Sequence, residues 1–82
     1  MKIKLKLFAN LRKYINESDR GICTLEIPDA SKVQDVFTLL NIPGDLPTII
    51  LINGNQHHND EALSDGDTLS LFPPIAGGNR RV

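Results

Sequence analysis

The sequence predicts an α+β domain, in which one helix covers one face of a mixed sheet of four to five strands. Three observations support this prediction. Residues 2–8 alternate between apolar and polar side chains, the segment after Ser31 carries one apolar stripe at helical spacing, and two turn motifs divide the second half into short strands. A single helix packed on a sheet makes a two-layer domain.

The first two strands follow from alternation with a period of two residues. In residues 2–8, one side of the strand carries Ile3, Leu5 and Leu7, and the other carries Lys2, Lys4, Lys6 and Phe8. Residues 9–16 have mixed polarity and fit a helical turn or a loop. Ile22–Ile27 is the second strand, which Pro28 closes. Its alternation places Cys23, Leu25 and Ile27 on one face.

The helix is predicted to begin at Ser31. Ser31-Lys32-Val33-Gln34 matches a capping box, with serine at the N-cap and glutamine three residues later. Spacings of three and four residues then build the apolar stripe, and Asn41 and Pro43 end the helix. The stripe consists of Val33, Val36, Phe37 and Leu40.

Two turns organise the remaining strands. Thr48–Ile52 is nearly all β-branched or aliphatic, which is typical of a strand covered on both faces. Asn53-Gly54 predicts a type I′ hairpin turn with a short return over residues 55–58. Asp65-Gly66-Asp67 marks a further turn before the last strand, Thr68–Phe72, which places Phe72 on the face opposite Leu69 and Leu71.

The composition excludes several classes of function. The chain has 82 residues, with 9 basic and 10 acidic side chains and a formal net charge of −1, so we expect neither nucleic acid nor a membrane as partner. No apolar run is long enough to span a bilayer, and the lysine-interrupted N-terminus is unlike a signal peptide. Cys23 is the only cysteine, which fits a cytoplasmic protein.

Catalytic and metal sites find little support. His57 and His58 are adjacent, so their rings diverge from a common metal, and neither a nucleophile elbow nor an EF-hand spacing is present. We therefore predict no catalytic residue, no metal and no bound cofactor. We interpret Asp60, Glu61, Asp65 and Asp67 as turn-capping carboxylates. We interpret Cys23 as a buried structural thiol.

Two features of the predicted open sheet face are candidates for binding a partner. Phe8 and Phe72 point away from the helix, which predicts an exposed apolar docking patch continued by Pro73 and Pro74. The alternative is that the loop of residues 54–64 folds over the two rings. Lys2, Lys4 and Lys6 form a basic strip, which is either a solvated strand face or a docking strip for an acidic partner.

The C-terminal segment is the most informative motif. The last strand runs into Phe72-Pro73-Pro74-Ile75-Ala76-Gly77-Gly78, after which Asn79-Arg80-Arg81-Val82 follows. Prolines stiffen the exit, and two glycines leave the backbone without side chains, so the tail can enter a narrow channel. We expect a body of residues 1–74 and a flexible tail of residues 75–82.

The chain resembles the ubiquitin-like sulfur carriers of the MoaD/ThiS family, and more closely MoaD, the small subunit of molybdopterin synthase. The resemblance covers residues 1–78. It is carried by Lys6-Leu7-Phe8-Ala9-Asn10-Leu11-Arg12, Leu51-Ile52-Asn53-Gly54, Leu63-Ser64-Asp65-Gly66-Asp67 and the segment from Phe72 to Gly78. It implies a β-grasp fold.

The resemblance also implies a chemistry in which the carrier itself catalyses nothing. An E1-like enzyme would adenylate the Gly78 carboxylate with ATP, sulfur would replace AMP to leave a thiocarboxylate, and a synthase of the molybdopterin large-subunit type would accept the sulfur. Gly78 would be the reacting residue, with Ile75, Ala76 and Gly77 as the segment that enters the channel.

The chain departs from this family after Gly78, where four further residues block the carboxylate. We therefore expect a processing protease that cuts behind Gly78 and removes residues 79–82. Molybdopterin synthesis is the favoured pathway. Other sulfur-carrier pathways, for homocysteine, cysteine, thiamine or another thio-metabolite, stay open, as do a protein modifier joined through Gly78 and a non-covalent β-grasp binding module.

Overall fold

A computed structural model describes residues 1–15 and 21–74 of the chain. In order, these residues form β1 (Lys2–Leu7), a short 3₁₀ helix (Ala9–Tyr14), β2 (Ile22–Glu26), α1 (Val33–Leu40), β3 (Ile49–Ile52), β4 (Asn55–His57) and β5 (Thr68–Phe72). Every predicted strand is present, and the segment predicted as a helical turn or loop is the 3₁₀ helix.

The five strands form one mixed sheet in the order β2-β1-β5-β3-β4. β1 and β5 are parallel, whereas β1–β2, β3–β5 and β3–β4 are antiparallel. β5 is therefore the central strand of the sheet. The predicted α+β architecture, a mixed sheet with one main helix, is confirmed.

The core lies between the sheet and α1. The inward side chains of β1 and β5 are at most 2% exposed; they are Ile3, Leu5, Leu7, Leu69 and Leu71. They pack against the buried stripe of the helix, which consists of Val33, Val36 and Phe37. Burying each such side chain contributes about 1.5–3 kcal/mol. The faces predicted from alternation are confirmed for both strands.

The predicted helix start is wrong by about one residue. The N-cap is Lys32, and the Asp35 carboxylate accepts a hydrogen bond from the Lys32 backbone N–H at 2.8 Å. Ser31 does not cap the helix, because its hydroxyl donates to the Pro28 carbonyl at 2.7 Å within the preceding turn. Asn41 ends the helix in a left-handed conformation (φ 63°), as expected.

The predicted turns are confirmed by the backbone. Asn53 and Gly54 have φ angles of 52° and 87°, which are the positive values that a type I′ hairpin turn requires. Gly66 has φ 88° in the turn before β5. Within residues 1–15 and 21–74, no helix has the length and apolar character needed to cross a membrane.

Candidate functional site: an aromatic patch at the root of the tail

The parallel pairing of β1 with β5 brings Phe8 and Phe72 together. Leu7 is in register with Leu71, and the Phe8 N–H donates to the Leu71 carbonyl at 3.2 Å. Phe8 keeps an extended backbone (φ −116°, ψ 152°), so its side chain continues the alternation of β1 onto the open face of the sheet. The same alternation turns Phe72 to that face, whereas Leu71 points into the core.

The two rings stack on each other. Their centroids are 4.1 Å apart and their planes differ by 9°. Such an aromatic pair contributes about 0.5–1.5 kcal/mol beyond the burial of its surface. Both side chains stay partly exposed, as does Ile49, which lies opposite Phe72 across the β3–β5 pair. We call Phe8, Phe72 and Ile49 the aromatic patch.

The alternative, that residues 54–64 cover the rings, is wrong. This loop is held at the start of α1, on the other layer of the domain. Gln34 N–H donates to the Asn59 carbonyl at 2.9 Å, and Leu63 N–H donates to the Ser31 carbonyl at 2.8 Å. The aromatic patch therefore faces outward, as predicted from the strand alternation. Its role as a docking surface stays a prediction.

The tail leaves the domain beside this patch. Pro73 is partly buried and Pro74 is exposed, and both line a mainly apolar cleft of about 260 Å³. Leu11 and Tyr14 of the 3₁₀ helix and Leu46 of the loop before β3 also line this cleft. The root of the tail is thus seated against the body of the domain.

The predicted reacting segment itself lies outside the described residues. This applies to Ile75, Ala76, Gly77 and Gly78 and to the extension of residues 79–82. Their predicted roles, the predicted cleavage behind Gly78 and the division of the chain after residue 74 all stay predictions.

A hydrogen-bond network fixes the turns at the opposite end of β5. The Asp67 carboxylate accepts from the Ser64 N–H at 2.8 Å and from the Asn53 side-chain amide at 2.9 Å. The Asn53 side-chain oxygen in turn accepts from the Thr68 N–H at 2.9 Å, and Asp65 accepts from the Lys2 N–H at 2.7 Å. The turn-capping role predicted for Asp65 and Asp67 is confirmed. The bridging role of Asn53 between two turns was not foreseen from its place in the hairpin.

His57 and Cys23, which were considered as candidate site residues, have structural surroundings. His57 Nδ1 lies 3.5 Å from a carboxylate oxygen of Glu61, which joins β4 to the following turn. The prediction that the Cys23 thiol is buried is wrong: Cys23 is half-buried, and it packs against the core from β2. In the part of the chain that the structure describes, no three His, Cys, Asp or Glu side chains converge as a metal site would require.

The fold is that of ubiquitin-like β-grasp proteins, a class confirmed by solved structures that the chain resembles. A family model described as the ThiS family matches residues 5–78, and the chain belongs to that family. A comparison with curated proteins gave no significant match.

Three solved structures illustrate the likeness. A Pyrococcus furiosus protein assigned as subunit 1 of molybdopterin converting factor is 26% identical, with a TM-score of 0.71 over 92% of this chain and 99% of that one. Small archaeal modifier protein 1 of Methanosarcina acetivorans is 30% identical, with a TM-score of 0.66 over 94% and 96%. The complex of subunits 1 and 2 of molybdopterin-converting factor from Helicobacter pylori contains a chain that is 20% identical, with a TM-score of 0.60 over 95% and 100%, a likeness of fold.

Proposed function

We propose that this protein is a sulfur carrier that acts through the carboxylate of Gly78, in molybdopterin synthesis. The observation that carries the proposal is the extent of the family match, which runs to Gly78 and leaves out the four residues beyond it. The likeness to the Pyrococcus furiosus protein assigned to molybdopterin conversion supports the choice of pathway.

Cleavage is the first step of the proposed cycle. In the sequence, the carbonyl of Gly78 is joined to Asn79 by an amide, which is a poor acyl donor. A protease adds water across this bond, leaving the Gly78 carboxylate and releasing the segment that begins with Asn79. Arg80 and Arg81 leave with it, so their long side chains no longer obstruct a channel of glycine width.

Activation and sulfur transfer follow on partner enzymes. An oxygen of the Gly78 carboxylate attacks the α-phosphorus of ATP, and pyrophosphate leaves. Hydrosulfide then attacks the acyl carbon of the adenylate, AMP leaves, and a thiocarboxylate remains. If a persulfide delivers the sulfur, a thiol must also cleave the acyl disulfide that forms. An acceptor synthase takes the sulfur, and water restores the carboxylate. The carrier supplies the acyl group, and its partners supply the catalysis.

The geometry of the described body suits this division of labour. The aromatic patch gives a partner an apolar anchor beside the root of the tail, and aromatic side chains are frequent anchors of protein interfaces. From Pro74, the five residues to Gly78 reach at most about 17 Å when extended. A partner docked on the patch can therefore receive Gly78 in a buried site. The Helicobacter pylori complex of subunits 1 and 2 supports a large-subunit synthase as one such partner.

Intact-mass analysis tests the proposal. Two forms are compared, the full chain and a form ending at Gly78, each incubated with an E1-like adenylating enzyme, ATP and sulfide. We expect the form ending at Gly78 to gain about 16 Da, the exchange of oxygen for sulfur, and the full chain to stay unchanged. A full chain that persists in its native cells, beside a Gly78-ended form that takes up no sulfur, would refute the proposal.

A protein modifier is the second candidate. The 30% identity to small archaeal modifier protein 1 favours it, and it needs the same activated Gly78. In that case a lysine amine attacks the acyl group and an isopeptide bond forms. A ladder of conjugates on a blot against this protein, lost when Gly78 is deleted, would favour the modifier, whereas a lone thiocarboxylate would favour the carrier. If the same mass shift is found but the sulfur goes to thiamine, homocysteine or cysteine, the protein is still a sulfur carrier, with a different acceptor enzyme.

A further inference from the structure

β2 is an edge strand of the sheet, and among residues 1–15 and 21–74 no strand pairs with its outer side. The ladder to β1 shows which backbone groups point outward. The Leu7 N–H donates to the Gly21 carbonyl at 2.6 Å, and the Ile27 N–H donates to the Met1 carbonyl at 2.8 Å. In an antiparallel pair, such hydrogen-bonded positions alternate with positions whose N–H and C=O groups face the other way. The outward-facing residues of β2 are therefore Ile22, Thr24 and Glu26.

This edge lacks the protection that the opposite edge of the sheet has. The opposite edge strand, β4, is three residues long, and all its side chains are polar. β2 is five residues long and has a single charged residue, Glu26, at its end. Short length, lysine and proline are the usual means of keeping an exposed edge from pairing, and β2 has none of them. The outward backbone groups of β2 are thus available to another strand.

Exposed apolar side chains lie beside the same edge. Ile22 of β2 is 48% exposed and Leu39 of α1 is 56% exposed, and these are the most exposed large apolar side chains of the described residues. Leu39 lines a mainly apolar cleft of about 490 Å³ together with Ile27 and Pro28, which directly follow β2. A strand added to β2 would therefore remove apolar surface from water as well as pair the outward backbone groups.

The sequence of β2 is complementary to itself in the antiparallel direction. If two copies pair about a two-fold axis at Thr24, Ile22 of one copy lies opposite Glu26 of the other, and the two Thr24 residues face each other. These are the outward-facing positions, so every pair of them can exchange hydrogen bonds. On the helix side, the half-buried side chains of Cys23 and Leu25 come to lie opposite each other. No like charges meet, and threonine pairs stabilise antiparallel sheets.

We propose that the second copy is the partner of this edge, and that the chain forms a two-fold dimer in which the two sheets join through β2. The inference does not depend on the proposed function. A two-fold contact of this kind closes with two copies, because the remaining edges of the joined sheet are the short, polar β4 strands. The contact is small, so we expect a weak dimer with a dissociation constant of roughly 0.1 mM.

The dimer leaves the aromatic patch accessible. Joining two sheets edge to edge covers neither face of either sheet, and β1 separates β2 from β5 and the root of the tail. Because the copies are related by a two-fold axis, their β5 strands run in opposite directions. The two C-terminal segments therefore leave the joined sheet at opposite ends, where one dimer can present them to two partners at once.

Opposite charges introduced at Ile22 test the dimer and its register. In the dimer this position faces Glu26 of the other copy, so Ile22→Glu adds a like-charge contact and Ile22→Lys adds an ion pair. Within one copy the position lies beside Lys6, so the glutamate variant should fold at least as well. Gln56→Glu and Gln56→Lys, at an exposed position of β4, are the matched controls. Sedimentation equilibrium of the full chain gives the dissociation constants, and circular dichroism checks the fold.

At low salt, Ile22→Lys should dimerise at least about tenfold more tightly than Ile22→Glu, and the ratio should fall below about threefold near 0.5 M salt, because exposed charges are screened there. The two Gln56 variants should differ by less than about twofold. Amide exchange followed by NMR should show protection of the Thr24 N–H that grows with protein concentration. An unmodified chain that stays monomeric at about 1 mM would overturn the inference. Equal dissociation constants for the two Ile22 variants would overturn it too, as would protection of Thr24 that appears only when another protein is added.

Discussion

The stacking of Phe8 on Phe72 can be tested by a double-mutant cycle. The variants are Phe8→Leu, Phe72→Leu and the pair together. Leucine keeps an apolar side chain at each position but cannot stack, so the cycle isolates the contact between the two rings from the area that each ring buries. The core residues behind them, Leu7 and Leu71, stay unchanged.

The structure sets the size of the expected coupling. With centroids 4.1 Å apart and planes within 9°, the rings are stacked, and for a stacked pair we expect a coupling energy of about 1 kcal/mol. Each single variant should lower the free energy of unfolding by about 1–2 kcal/mol, because the rings are only partly buried. A domain of this size has a stability of roughly 4–12 kcal/mol, so all three variants should fold.

Equilibrium unfolding in urea, followed by far-UV circular dichroism, measures the four free energies. The double variant should be less destabilised than the sum of the two single variants by about 1 kcal/mol. Strict additivity, within about 0.3 kcal/mol, would show that the rings do not interact.

The remaining predictions concern the patch and a glycine. Phe8→Ala should weaken binding to the proposed acceptor synthase at least tenfold by isothermal titration calorimetry, whereas Leu39→Ala, an exposed apolar residue of α1, should change it less than twofold. A similar loss in both variants would point to general unfolding. Gly21→Ala should lower the melting temperature by about 5–15 °C, since Gly21 has φ 82° and an added Cβ would collide with the Leu7 carbonyl. Gly44→Ala, which meets no atom within 4 Å, should leave it within about 3 °C, and equal melting temperatures for the two would contradict the described backbone.

Much of the fold could be predicted because its signals are local. Alternation along β1 assigns Ile3, Leu5 and Leu7 to the core without any knowledge of the partner strands. Asn53-Gly54 specifies its own turn through the positive φ angles that these residues tolerate. The side of the sheet on which Phe8 and Phe72 lie follows from the same alternation.

The features that could not be predicted depend on distant parts of the chain. The helix begins one residue late because Lys32 pairs with Ala62, from a later loop, in an isolated bridge; locally, the Ser31 hydroxyl is bound to the Pro28 carbonyl. The contact between Phe8 and Phe72 needs the parallel pairing of two strands that are 60 residues apart, which no local pattern encodes. Likewise, the residues beside Lys4, Thr24 and Thr68, are set by the pairing of β1 with β2 and with β5.

The central position of β5 has a mechanical consequence for the tail. A partner that drew the C-terminal segment into a channel, as proposed, would pull along the axis of β5, which is hydrogen-bonded to β1 on one side and to β3 on the other. Such a force must break the hydrogen bonds of β5 to β1 and to β3 at the same time, whereas an edge strand can be peeled off one bond at a time. The domain therefore resists unfolding from this end. The body can thus stay folded while a partner binds and releases the C-terminal segment.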